Sequence, residues 1–332
     1  MWRILYFILP LFIGGCANFT YYLDAVNGHY ALLEKSRPID SVISEDSSED
    51  LKNKLITFQH ARLFAIQELL LPDNGSYKSY ADIGRVYATW NVITTEKFSI
   101  KAKESCFLFA GCLNYKGFFS KKQAEEYANK LKLAGYDTYV AGSRAYSTLG
   151  WFDDPLLNTM MYKSEANRVG ILFHELAHQK IYVDDDSNFN EAFATFIEKE
   201  GVKRWLEKQD KQQELKKYYL SNKRQNEFNK LLRKARTKLQ NIYALKEKEH
   251  TKVTKKEMVF VNLKKEYEQL KIKWQGYDGY DKWMEQDLNN AHLALTATYY
   301  DLVPMFNQVL LDSKNDLRIF YKKVATLSKR QE

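Results

Sequence analysis

Two stretches of repeating apolar residues, joined by a short polar link, constrain this chain most. Phe228, Leu232, Ala235, Leu239 and Ile242 recur at alternating spacings of four and three, and so do Phe260, Leu263, Tyr267, Leu270 and Trp274. That period runs one apolar stripe down each of two long helices. The stripes leave water by folding on each other, which predicts an antiparallel helical hairpin with its tip near 247–254. Residues 203–273 hold 22 Lys or Arg against 9 Asp or Glu, a net of +13, whereas the whole chain of 332 residues carries +8. The remainder is therefore acidic, at −5, and the basicity is local. Such a run is either the solvated outer face of the helices or a contact for an anionic surface.

The N-terminus bears on location. After Met1-Trp2-Arg3, residues 4–13 are ten apolar residues that lead into Gly14-Gly15-Cys16. Ten is short of the roughly 20 that span a bilayer as a helix. A positive start, a short apolar run and small residues before a cleavage point fit a signal peptide over 1–15. Ile13-Gly14-Gly15-Cys16 resembles a bacterial lipobox, which makes Cys16 the first mature residue and the point of lipid attachment. Ala17 follows where an Asp would redirect sorting, similar to the outer-membrane pattern. The expectation is a lipid-anchored protein of the bacterial cell envelope, at the outer membrane and facing the periplasm. An exported chain has no nucleic acid as partner, so the basic run would meet an anionic envelope surface.

Composition narrows the class further. With 45% hydrophobic residues, 14 Gly and 5 Pro, neither a disordered nor a fibrous chain fits. Three Cys exclude a disulfide scaffold. Export places Cys106 and Cys112 where oxidation is permitted, and a bridge between them closes a short loop that contributes about 2 kcal/mol. The other readings are two reduced, buried thiols or a metal-ligand pair, although structural zinc pairs favour two to four intervening residues and a second pair nearby.

Periodicity and turn chemistry predict an α+β fold, predominantly helical. Helices are expected over 21–34 and 51–70, the second ending at Pro72-Asp73-Asn74-Gly75, and strands over 86–98 and 117–119. Ser120 should cap a helix that Gly135 stops, followed by a strand over 136–141. Asp154 and Pro155 read as the cap and first position of a helix, Ser164 as the cap of the next, to about 180, and another helix runs from 187 or 188 to 205. The expected divisions are an N-terminal α+β lobe over 16–145, metal-binding catalytic helices over 146–205, the basic hairpin over 206–275, and C-terminal helices over 276–332 that pack on the catalytic core.

His174-Glu175-Leu176-Ala177-His178 lies inside a helical pattern. Histidines four apart share one face, so both imidazoles can reach one ion. Glu175 is rotated about 100° from His174, which places a carboxylate beside the ion, where a base is needed. The bland alternative is two helix histidines with an unrelated Glu. A third ligand in the style of metzincins would need a Gly at the place Ile181 holds, before Asp184. Asp184, Asp185 and Asp186 look like a turn that leads to a cap. Glu191, in Asn190-Glu191-Ala192-Phe193-Ala194, looks like the second motif of gluzincins, and a two-His, one-carboxylate set is a catalytic zinc arrangement. Glu198 falls seven residues on, on the same face, and either backs a histidine or is itself the ligand.

These residues, with Ala145-Tyr146-Ser147-Thr148-Leu149-Gly150-Trp151-Phe152-Asp153-Asp154-Pro155-Leu156, Cys106 to Cys112 and Asn289-Asn290-Ala291, are similar to the bacterial lipoproteins named putative aminopeptidases. The resemblance covers nearly the whole mature chain apart from the hairpin. It implies a gluzincin-like core, Zn2+ as cofactor, a peptide or protein substrate and hydrolysis with Glu175 as base. Tyr146, whose loop matches the family, becomes a candidate for stabilising the oxyanion, with Tyr182 as the alternative. No Gly-x-Met-Glu-Asn segment, the amine-binding motif of neutral aminopeptidases, occurs upstream of His174. Two rival readings are a zinc hydrolase of another envelope amide and a non-enzymatic lipoprotein scaffold whose hairpin binds a partner.

Overall fold

A computed structural model describes residues 16–45, 47–107, 111–162, 164–294 and 302–328. The expected signal peptide, 1–15, and the side chain of Cys16 lie outside the described residues. The elements, in order, are α1 (Cys16–Leu33), β1 (Ser36–Pro38), α2 (Ile39–Ser44), α3 (Glu49–Gln67), β2 (Ser79–Ala81), β3 (Thr89–Thr95), β4 (Ser105–Phe107), β5 (Gly111–Leu113), β6 (Lys116–Phe118), α4 (Lys121–Leu133) and β7 (Asp137–Ser143). Then come β8 (Leu156–Leu157), α5 (Glu165–His178), α6 (Ser187–Lys208), α7 (Gln212–Ala244), α8 (Glu249–Lys273), α9 (Asp281–Met284), α10 (Asn290–Ala294), α11 (Val303–Asp312) and α12 (Leu317–Ser328). The fold is α+β and predominantly helical, and among the described residues no helix is long and apolar enough to cross a membrane.

The strands make three small sheets. In one, β3 is central and antiparallel to both β6 and β7, and α4, capped by Ser120, covers it through Ala124 and Ala128. In another, β2 pairs antiparallel with β1 and parallel with β8. The third is the β4–β5 ribbon, where Cys106 and Cys112 stand opposite each other and form a disulfide, which excludes the thiol and metal-pair readings. Residues 108–110 of its loop lie outside the described residues. Asp154 and Pro155 start no helix: Pro155 leads into β8, and the Asp154 carboxylate instead accepts from the Thr148 N–H and hydroxyl, at 2.8 and 2.9 Å.

The main core gathers around α6, whose first half, residues 189–197, is buried on nearly every side and so is central. Phe189, Phe193 and Phe196 are buried there against Phe306 of α11 and Phe320 of α12. Each such ring contributes roughly 2–3 kcal/mol by burial. On its other side α6 packs against Val169, Leu172, Phe173 and Leu176 of α5. Two glycines let the helices approach closely. A Cβ on Gly201 would stand 2.7 Å from the Phe173 ring, and one on Gly170 would stand 3.2 Å from Glu198 Cγ.

α7 and α8 lie side by side in opposite directions, with Phe228, Leu232, Leu239, Phe260, Leu263 and Tyr267 buried between and beneath them. Glu227 meets Lys273, and Glu266 takes both Lys234 and Lys238, so part of the basic charge is paired within the two helices.

Candidate metal centre and active site

Local chemistry sets both site-bearing helices. Ser164 caps α5 by accepting from the Asn167 N–H, and Asp186 caps α6 by accepting from the Phe189 N–H at 2.9 Å. Asn190 then clamps the connection, since its amide accepts from Val183 N–H at 2.8 Å and donates to Val183 O at 2.7 Å. Eight residues, 179–186, therefore suffice to bring the second turn of α6 alongside the last turn of α5. Asp185 belongs to this turn, accepting from the Cys112 N–H at 2.9 Å and so tying the disulfide ribbon to it.

The result is one convergent group among the described residues. His174, His178 and Glu191 each offer a ligand atom, all within 4.8 Å of one another, and could hold a metal ion. The two Nε2 atoms are 3.2 Å apart, and Glu191 lies 3.4 Å from His174 Nε2 and 3.8 Å from His178 Nε2. Ligands at 2.0–2.1 Å around a tetrahedral ion stand about 3.3 Å from each other, so these three donors fit. Glu198 stands behind the group. Lying over Gly170, one turn before His174, its carboxylate takes His174 Nδ1 at 3.2 Å, which leaves Nε2 turned toward His178 and Glu191. A carboxylate on the outer nitrogen of a ligating imidazole fixes its tautomer and orientation. His178 Nδ1 is buried without a hydrogen-bond partner among the described residues.

Charge is held under tension here. Although burial opposes its proton, His174 is kept protonated well above the usual histidine range by Glu191 and Glu198, while burial lowers His178 to about 4. Glu191 is lowered, because His174 and His178 outweigh its own loss of solvation. Glu175 is pushed up to about 7, first by loss of solvation and then by Glu191, Asp154 and Glu198, with His174 opposing. A carboxyl poised near neutrality is what proton transfer asks of a base.

The Glu175 face of α5 is covered by two loops. Gln179, four residues on and hence on the same face, accepts from Asn74 Nδ2 at 2.7 Å and donates to Ser76 Oγ at 3.3 Å. The next residue, Tyr77, has its N–H on Asp154 O at 2.7 Å and a left-handed backbone, φ +62°, rare for a bulky side chain. Tyr77 is 3% exposed, and its phenol oxygen is buried with the Ser147 hydroxyl near but no partner in hydrogen-bonding geometry among the described residues. Burial and then the charges of Glu175 and Asp154 raise it well above the ordinary phenol range. Tyr115 also borders the group, raised by burial and by Glu191 and Glu175. Tyr182 feels Glu191 more weakly, after burial and Asp184. Tyr146 has its ring 5.0 Å from Phe119 and 5.8 Å from His29 and feels Asp154, and it makes no hydrogen bond to His174, Glu175, His178 or Glu191 among the described residues. Sequence reasoning missed Tyr77 and Tyr115. The only local sign of Tyr77 was its place just after a Pro-Asp-Asn-Gly turn.

No curated protein and no solved structure is matched by this chain. A family model described as "Putative aminopeptidase" matches residues 20–332, and the chain accordingly belongs to the putative aminopeptidase family.

Proposed function

We propose that the protein is a zinc metallopeptidase that removes N-terminal residues from peptides, anchored by lipid at Cys16 in the bacterial envelope. The observation that carries this reading is the convergence of His174 Nε2, His178 Nε2 and the Glu191 carboxylate beside Glu175. Two imidazoles and one carboxylate, with Glu198 backing His174, suit zinc. When bound, the ion supplies Lewis-acid polarisation of a carbonyl and acidifies water. Glu175 Oε takes a proton from the attacking water and hands it to the nitrogen of the leaving amine. The buried Tyr77 hydroxyl, on the Glu175 face and without a partner in hydrogen-bonding geometry among the described residues, is the donor for the developing oxyanion. The family supports the aminopeptidase reading.

Glu175→Gln should retain the wild-type zinc content and lose hydrolysis of a peptide library by at least a hundredfold, on the scale of general-base catalysis, roughly 10²–10⁴. Wild-type turnover in that variant would remove Glu175 as the base. Within the library, free N-termini should be cleaved and N-acetylated copies spared; equal cleavage of both rejects the exopeptidase reading.

A further inference from the structure

α1 keeps an apolar stripe in water although its other side is firmly packed. On the packed side, Gly28 abuts Phe119, the Tyr21 hydroxyl donates to Gly117 O at 3.0 Å, and His29 is 7% exposed. On the outer side, Leu23, Val26 and Tyr30, three and four residues apart, are 46, 50 and 59% exposed. The 147–154 loop packs against the same helix, because the Phe152 ring lies 4.7 Å from His29, the residue before Tyr30. Phe152 is 53% exposed and Trp151 73%. Five large apolar side chains are thus exposed on α1 and on the loop packed against it, and Asn27 and Ala31, next to Val26 and Tyr30 in α1, are uncharged. Large apolar side chains exposed together on one helix face and its neighbouring loop are the kind of surface that marks an interaction site.

We infer that this face, Leu23, Val26, Tyr30, Trp151 and Phe152, lies on the lipid surface of the membrane. The inference rests on the proposed lipid anchor at Cys16. The apolar run 4–13 leads through Gly14-Gly15 directly into the first residue of α1. At 1.5 Å per residue, Leu23 is about 10 Å and Tyr30 about 21 Å along the axis from that anchor point, so a helix lying flat sets the whole stripe on the interface. Trp and Tyr favour that depth, where an apolar ring and a polar edge are both satisfied. The stripe carries no cationic cluster, so neutral lipid suffices. Because Gly150 of the same loop packs on Gln179, its Cβ position 3.6 Å from Gln179 Cγ, the bilayer then lies beside the loop that covers the Glu175 face of α5.

The test uses the full chain reconstituted in neutral phosphatidylcholine vesicles that contain brominated lipid. The wild type should float with the vesicles and lose at least twice as much tryptophan emission to bromine as Trp151→Phe does. A Val26→Glu, Tyr30→Glu double variant should still float, while its emission becomes at least twofold more sensitive to aqueous iodide. Equal bromine quenching of wild type and Trp151→Phe in floating protein overturns the face and leaves the anchor standing. Protein that does not float overturns the anchor and the face with it. Quenching that requires anionic lipid assigns the contact to the basic helices instead. Shielding from iodide without bromine quenching means that a protein partner or second copy covers the face, which also overturns the proposal.

Discussion

Tyr77→Phe removes one oxygen and leaves the ring, its volume and its burial unchanged. Because that oxygen has no partner in hydrogen-bonding geometry among the described residues, no bond to any of them is broken. A buried hydroxyl without a partner is a desolvation cost, so the variant should be equally stable or more stable by roughly 1 kcal/mol. Activity should move the other way. Loss of one oxyanion donor lowers kcat by about 10²–10³, or about 2.7–4 kcal/mol of transition-state stabilisation. A contact made only in the transition state leaves KM nearly unchanged. The assay pairs steady-state kinetics on an unblocked peptide with urea unfolding and zinc content. A stable, zinc-loaded variant with impaired kcat supports the role. Unchanged kcat refutes it, and lost stability with unchanged kcat shows that the hydroxyl serves the Ser147 side of the loop instead.

Two further outcomes follow from the geometry. Glu191→Ala should weaken zinc binding more than Glu198→Ala, whose loss should cost about 10–100-fold as for other residues that orient a ligand; a metal titration with the reverse order transfers the ligand role to Glu198. Asp154, raised by burial to about 6 against an ordinary value of 3.8, binds its proton more tightly folded than unfolded. Lowering the pH from 7 through 6 toward 4 therefore stabilises the wild type, and the ionised form costs at most about 3 kcal/mol at neutral pH. Asp154→Asn should be the more stable protein at pH 7, with an advantage that shrinks by pH 4; urea midpoints whose difference does not change with pH contradict this.

How much of this could be read from the sequence depended on how local the determining contacts are. The capping of α5 by Ser164 and the start of α6 within a residue of Ser187 were legible because each is settled within three or four positions. The apolar repeats in α7 and α8 were legible because the period itself encodes the stripe. The two- and three-residue strands β1, β2 and β8 are too short to show a period, and the parallel β2–β8 pairing joins residues more than seventy apart. The error at Asp154 has the same origin: an Asp-Pro step suits a helix start, and only the Thr148 turn and β2 decide otherwise. Of the site, His174, Glu175 and His178 were visible by spacing, and Glu191 by its likeness to a motif. Tyr77 was hidden because its burial depends on Gln179 and Asp154, far along the chain.

Gly170, Gly201 and the apolar coat of α6 lock the two ligand-bearing helices together through contacts that involve no ion. These contacts do not depend on a metal in the candidate site. In small zinc domains the chain is unfolded until the ion arrives. If the proposed site takes zinc, the ion would add stability by mass action, about 2.7 kcal/mol at a hundred times its Kd, to helices already packed on each other. Folding and loading become separate events that can happen in different places and at different times. Under the proposed function, scarcity of zinc would then leave the cell with intact but silent molecules, ready to be switched on by supply without new synthesis.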